Sequence, residues 1–231
     1  MRESLDLPNM PEYVSIKESA LTLMKLRHFT TTPLDTDSTH VQQALGVLTS
    51  QLGENYIPRE VFETYIYDSN NFSGKAAFIA QDDMTGIIIG ALTAEIVSPQ
   101  AFKASFLDSF DLAKEIPEVQ QLDGKRIGLI KSVAVVPQCQ GQGIGTQLVK
   151  DAMTKLAEHG AEVFYSLGWV SKERGCHIQG ALETLGFKMI SQFDSFWYKD
   201  SLEHGYSCPS CGHPCQCSTR LFIKWAQEKQ S

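Results

Sequence analysis

Between residues 127 and 158, an apolar run ends at a proline, glycines follow at alternate positions, and a long amphipathic stretch begins. Its centre reads Ser132-Val133-Ala134-Val135-Val136-Pro137-Gln138-Cys139-Gln140-Gly141-Gln142-Gly143-Ile144-Gly145. Residues 127–136 fit a buried strand stopped by Pro137. Residues 143–158 carry apolar side chains at helical spacing: Ile144, Leu148, Val149, Ala152, Met153, Leu156 and Ala157. His159 and Gly160 close that helix. Glycines let successive backbone N–H groups converge on one point. The helix start adds its free N–H groups and the positive end of its dipole. Strand, loop and helix together make an anion site of diphosphate size.

Glycine spacing narrows the ligand. A nucleotide P-loop requires Lys and then Ser or Thr after its last glycine, but Thr146 and Gln147 follow Gly145. A dinucleotide fingerprint begun at Gly141 requires glycine at position 146, and would sit on the first strand of a parallel repeat that this chain lacks.

Residues 1–20, with Pro8 and Pro11, read as a loosely structured leader, and residues 21–231 as one domain. Strands are expected at 21–29, 75–81, 86–97, 127–136, 161–167, 187–198 and 219–225. Helices are expected at 39–52, 58–67, 143–158 and 176–185. Residues 99–125 form an insertion with one or two helical turns. The fold class is α/β (α+β), with a mixed, mostly antiparallel sheet flanked by helices.

The segment from Gln140 to Gly145 matches the Gln/Arg-x-x-Gly-x-Gly/Ala motif of the GNAT acyltransferase superfamily, and Val133-Ala134-Val135 with Pro137 resembles that family's fourth strand. The element order is similar over residues 21–225. The resemblance implies acetyl-coenzyme A as cosubstrate. The backbone of Val133, Ala134 and Val135 would bond the pantetheine arm, and Gln140, Gly141, Gln142, Gly143, Ile144, Gly145 and Thr146 would wrap the pyrophosphate. Strands 127–136 and 161–167 would splay to admit the thioester. A primary amine of a small molecule or peptide would attack it directly, with catalysis by positioning and by a backbone N–H on the carbonyl oxygen.

Two positions depart from the family. Tyrosine often stands four residues before a Gly-Phe pair as acid for the leaving thiolate. Here the pair is Gly186-Phe187, and the position holds Leu182, with Gly175 where asparagine is common. The fourth-strand carboxylate that accepts the amine's proton is replaced by Leu129 and Lys131. Leucine donates no proton. Tyr165 and Ser166 are the candidate catalytic residues, with Glu95, Cys176 and His177 as further substitutes. A non-catalytic coenzyme A-binding or thiol/redox-sensing protein is the alternative.

Four of the six cysteines fall between the last expected strands, at Cys208, Cys211, Cys215 and Cys217, with His213 among them. Cys-x-x-Cys is half of many zinc sites, so structural zinc held by Cys₄ or Cys₃His is one outcome. Free thiols and a local disulfide stay open on this spacing. This loop, 204–218, borders the acceptor site in the family fold and is expected to act on the acceptor alone.

The formal net charge of −7 argues against a nucleic-acid partner. No apolar run approaches the roughly 18 residues of a membrane span. A cytoplasmic location, and a homodimer by family resemblance, are the remaining expectations.

Overall fold

The computed structural model describes residues 28–68, 70–104, 116–172 and 175–226. In chain order the elements are β1 (Phe29–Pro33), α1 (Ser38–Leu52), α2 (Arg59–Glu63), β2 (Lys75–Asp82), β3 (Ile88–Val97), α3 (Pro99–Ala104), α4 (Pro117–Gln120) and β4 (Ile127–Val135). A 3₁₀ turn (Pro137–Cys139) precedes α5 (Ile144–Glu158). Then come β5 (Val163–Ser171), β6 (Gly175–Cys176), α6 (Gln179–Thr184), β7 (Lys188–Phe193), α7 (Tyr198–His204) and β8 (Ser218–Trp225).

Among the described residues, eight strands form one sheet in the order β1-β2-β3-β4-β5-β8-β7, with β6 turned back on β5. The β4–β5 pair is parallel and the other pairs are antiparallel. Along β2 the side chains alternate between two cores. Ala76, Phe78 and Ala80 meet Leu148, Ala152 and Leu156 of α5. Ala77 and Ile79 meet Val41, Ala44 and Leu48 of α1. Both faces of the central strands are therefore covered, which explains their nearly unbroken apolar runs. No helix among the described residues is long and apolar enough to cross a membrane.

Several boundaries differ from the sequence expectation. The first strand lies at Phe29–Pro33; most of the 21–29 strand, and the 1–20 leader, fall outside the described residues. The helix expected over 58–67 shortens to Arg59–Glu63. β5 runs on to Ser171 and returns through β6. The strand expected over 187–198 stops at Phe193, and α7 was missed altogether. Phe193 and Phe196 share one core cluster three residues apart, a spacing that a straight strand does not allow. Ser195 takes a left-handed φ of 51° between them.

Candidate active site

Parallel pairing of β4 and β5 runs from Ile127↔Val163 to Ile130↔Ser166 and stops. Beyond that point β4 continues along β3, and β5 continues along β8. The strands part, and a cleft of about 800 Å³ lies between the separated ends.

One wall of the cleft is the glycine loop. Gly141 and Gly143 hold φ values of 75° and 81°, the left-handed region that glycine enters freely. A Cβ at either would meet nothing within 4 Å. Gly145 lies in the first turn of α5 without a positive φ, and a Cβ there would touch Val133 and Val135 at ordinary distances of 3.8 and 3.9 Å. Val133, Ala134, Val135, Gln140, Ile144 and Thr146 also line the cleft; Gln142 does not. The Gln142 amide nitrogen lies 3.5 Å from the Gln138 carbonyl instead. Gln140 donates to the Val135 carbonyl at 3.0 Å and so ties the loop to its strand.

The rest of the lining was not foreseen. It includes Ser50 and Gln51 at the end of α1, and Gly180, Ala181 and Thr184 on α6.

A second, inner cavity of about 120 Å³ shares Leu52, Val133, Trp169, His177 and Ile178 with the cleft. Its wall holds the rings of Tyr56, Trp169, Trp197 and Tyr206. The Tyr56 hydroxyl lies 3.1 Å from Ser132 Oγ, and Tyr206 donates to Asp200 at 2.7 Å. Burial pushes both phenols above the ordinary range, and the Asp200 carboxylate adds to this for Tyr206. Lys131 lines the same cavity and donates to the Tyr65 hydroxyl at 3.0 Å, with Glu95 at 3.5 Å. Among the described residues, the buried Trp197 indole N–H finds no acceptor.

Cys208 and Cys215 close the inner cavity, while Pro209 and Ser210 of the same loop line the outer cleft. The loop thus borders the coenzyme cleft as well as the inner cavity, rather than the acceptor side alone. Gly53, at the end of α1, fits against it so closely that a Cβ would clash with the Ser207 carbonyl.

All four sulfurs of Cys208, Cys211, Cys215 and Cys217 lie within 4.8 Å of one another. Three of the separations are 3.5, 3.7 and 3.8 Å. Zinc–sulfur bonds of about 2.3 Å in a tetrahedron place sulfurs about 3.8 Å apart, whereas a disulfide requires about 2.0 Å. The donor set therefore fits a four-thiolate metal centre. Burial pushes the Cys217 thiol up to about 11, and Cys215 higher still, whereas the Gln216 backbone N–H and the neighbouring thiols draw Cys211 down. His213 stands outside this group; its Nδ1 lies 3.1 Å from the Tyr206 carbonyl.

The acetyltransferase (GNAT) family model matches residues 48–187, more than half of the chain. The chain belongs to the GNAT acetyltransferase family. No curated protein sequence matches it. The structure of Arabidopsis thaliana NAA60 in complex with acetyl-CoA is similar at a TM-score of 0.59 and 13% identity, covering 87% of this chain and 100% of that one. The Escherichia coli ribosomal-protein-S18-alanine N-acetyltransferase is similar at a TM-score of 0.53 and 13% identity, over 88% of this chain and 99% of that one. An agmatine N-acetyltransferase in its apo form gives 0.57 and 13%, over 86% and 100%. These likenesses are of fold.

Against that GNAT frame, Leu182 is fully buried in the core beneath α6, and leaves no hydroxyl at the usual acid position. Leu129 packs in the core on the other face, and Lys131 is held by Tyr65 and Glu95. Tyr165 lies in that other core too, edge-to-face with Phe102 at 4.5 Å, and lines neither cavity. Ser166 does line the inner cavity, with its hydroxyl donating to the Ile130 carbonyl at 3.0 Å. Cys176 lines neither cavity, and burial raises its thiol. Of the candidate substitutes, His177 alone borders both cavities.

Proposed function

We propose that this chain moves the acetyl group of acetyl-coenzyme A to a primary amine by direct attack on the thioester. One observation carries the reading: a cleft along the Gly141–Thr146 loop shares a wall with an inner cavity at the point where β4 and β5 part. Pyrophosphate sits against the loop N–H groups and the α5 terminus, pantetheine runs along Val133 and Val135, and the amine waits in the inner cavity.

Residues at the shared wall carry the chemistry. A β4 backbone N–H polarises the thioester carbonyl. His177 delivers the proton that the departing thiolate takes up, in place of the tyrosine replaced by Leu182. Cys208, Cys211, Cys215 and Cys217 hold one structural zinc, closed to substrate, which fixes the loop against both cavities. A reducing, cytoplasmic setting suits those thiols.

Leu182, Leu129 and Lys131 favour the rival reading, a coenzyme A-binding protein without catalysis. Thiol release decides between them: saturable, amine-dependent release of free coenzyme A is expected. His177→Ala should lower kcat by about 10²-fold or more, the usual worth of a general acid, with acetyl-coenzyme A affinity unchanged. Ser166→Ala should change kcat less than about tenfold. No release with any primary amine, despite coenzyme binding, would leave the non-catalytic reading standing.

A further inference from the structure

The cysteine loop is a thinly supported part of the inner cavity wall. Between Gly205 and Cys217 the backbone forms neither helix nor strand; one isolated bridge joins Cys208 and Gly212, with N–H···O distances of 3.1 and 2.9 Å. The loop's apolar core is small: Tyr206, Cys208, Cys215 and Cys217, packed on Trp169 and Trp197. Tyr206 is tied to Asp200, and the Cys215 N–H donates to Ser201 Oγ. A loop so held leans on its metal, because the free energy of binding a structural zinc is also free energy of folding.

The four sulfurs are not equally placed. Cys208, Cys215 and Cys217 are 5%, 2% and 3% exposed, whereas Cys211 is open to solvent. Cys211 also makes two of the short contacts, 3.5 Å to Cys217 and 3.7 Å to Cys215. Metal ligation keeps a cysteine as its thiolate, and the thiolate is the form that oxidants attack. One nucleophilic sulfur thus meets solvent with a second 3.5 Å behind it, the placement of an attacking and a resolving thiol.

Closing that pair unmakes the centre. A disulfide brings its sulfurs to about 2.0 Å and leaves no thiolate on either. Cys208 and Cys215 are then the remaining thiolates, and a structural zinc takes four ligands. Those two residues wall the inner cavity, while Pro209 and Ser210 line the cleft.

We propose that the cysteine loop is a peroxide-sensitive switch: hydrogen peroxide joins Cys211 to Cys217, zinc leaves, and the inner cavity loses part of its wall. The proposal rests on the zinc and transferase readings above. The Cys211 thiolate attacks one peroxide oxygen; an S–O bond forms, the O–O bond breaks and hydroxide departs. The Cys217 thiolate then attacks the Cys211 sulfur, and a second hydroxide leaves as the S–S bond forms. Two sulfurs give up two electrons to the peroxide. Two protons turn the hydroxides into water, and two more cap Cys208 and Cys215 as zinc departs.

The test measures zinc content, then adds about ten equivalents of hydrogen peroxide to the zinc-loaded chain. A chromogenic chelator follows zinc release, beside amine-dependent coenzyme A release, tryptophan fluorescence and peptide masses. Zinc and transfer should be lost together, transfer by about tenfold or more, with a Cys211–Cys217 disulfide in the peptide map. Fluorescence should change through Trp169 and Trp197, and dithiothreitol with zinc should reverse every effect. A dimedone trap for sulfenic acid should tag Cys211 before any other cysteine. Cys211→Ser should slow zinc release by about tenfold or more, because its other loop thiols are buried. If that variant purifies without zinc, the trap on the unaltered chain decides the site.

Activity lost before zinc would put the lesion at Cys139 or Cys176 and overturn the proposal. So would a loss that dithiothreitol and zinc do not reverse, or full transfer by the oxidised, zinc-free chain. Zinc absent at the outset is failure of the metal reading, and the switch falls with it. Should the zinc-loaded chain acetylate no amine, the transferase reading fails by itself. Zinc release, the disulfide and the reversible fluorescence change then decide the switch, and peroxide leaving all three unmoved overturns it.

Discussion

Gly143→Trp should abolish stabilisation by acetyl-coenzyme A. A ligand that binds only the native state at a hundred times its Kd adds about 2.7 kcal/mol. For a chain of this size, that raises Tm by about 5–10 °C. Gly143 caps α5 at a φ of 81°, with open space where a Cβ would stand. An indole there enters the cleft in which the pyrophosphate is placed. The left-handed backbone also penalises any L side chain, by about 1–2 kcal/mol. Gly143→Ala carries the same backbone strain without the bulk. The two variants should therefore share a lowered Tm without ligand, while Gly143→Ala keeps most of the ligand-induced shift. Thermal unfolding with and without acetyl-coenzyme A reads both effects. A full shift in Gly143→Trp would place the phosphate site elsewhere.

The second large effect concerns the cysteine loop. Protein purified without chelator should carry one equivalent of zinc per chain. Cys215→Ser, at a residue only 2% exposed, should lose the metal and about 4 kcal/mol or more of stability, the range reached when a structural metal is lost. The exposed Cys211 permits a gentler test. Cys211→Ser should lower kcat/KM for the acceptor on the order of tenfold, the scale of a modest pocket mismatch. Acetyl-coenzyme A affinity should fall less, because Cys208 and Cys215 wall the inner cavity while only Pro209 and Ser210 reach the cleft. Elemental analysis showing less than about a tenth of an equivalent, with four free thiols, would remove the metal centre. Equal losses for both substrates would mean that the loop supports the whole fold.

The coenzyme side was legible because its requirements are local. A left-handed turn demands glycine, a helix start demands free N–H groups, and both are written in consecutive residues from Gln140 to Thr146. The hairpin of β2 and β3 was legible for a similar reason, since Asp82 and Asp83 interrupt two apolar runs. The acceptor side was not. Tyr56, Ser132, Trp169 and the pair Trp197 and Tyr206 come from four separate segments, and no spacing links those segments. Tyr165 shows the complementary error: neighbouring Ser166 faces the cavity, and a one-residue step on a strand reverses the face. The cysteines were legible as a cluster, but the place of their loop beside both cavities depends on tertiary contacts such as that of Gly53 with Ser207.

The central claim is that coenzyme and amine meet at the wall shared by the two cavities. Transfer of an isotopically labelled acetyl group tests it most directly. With labelled acetyl-coenzyme A and a primary amine that supports coenzyme A release, mass spectrometry should find the label in the amide, mole for mole with free coenzyme A, for the wild-type chain and not for Gly143→Trp. Label released as acetate at the same rate with and without amine would contradict the account.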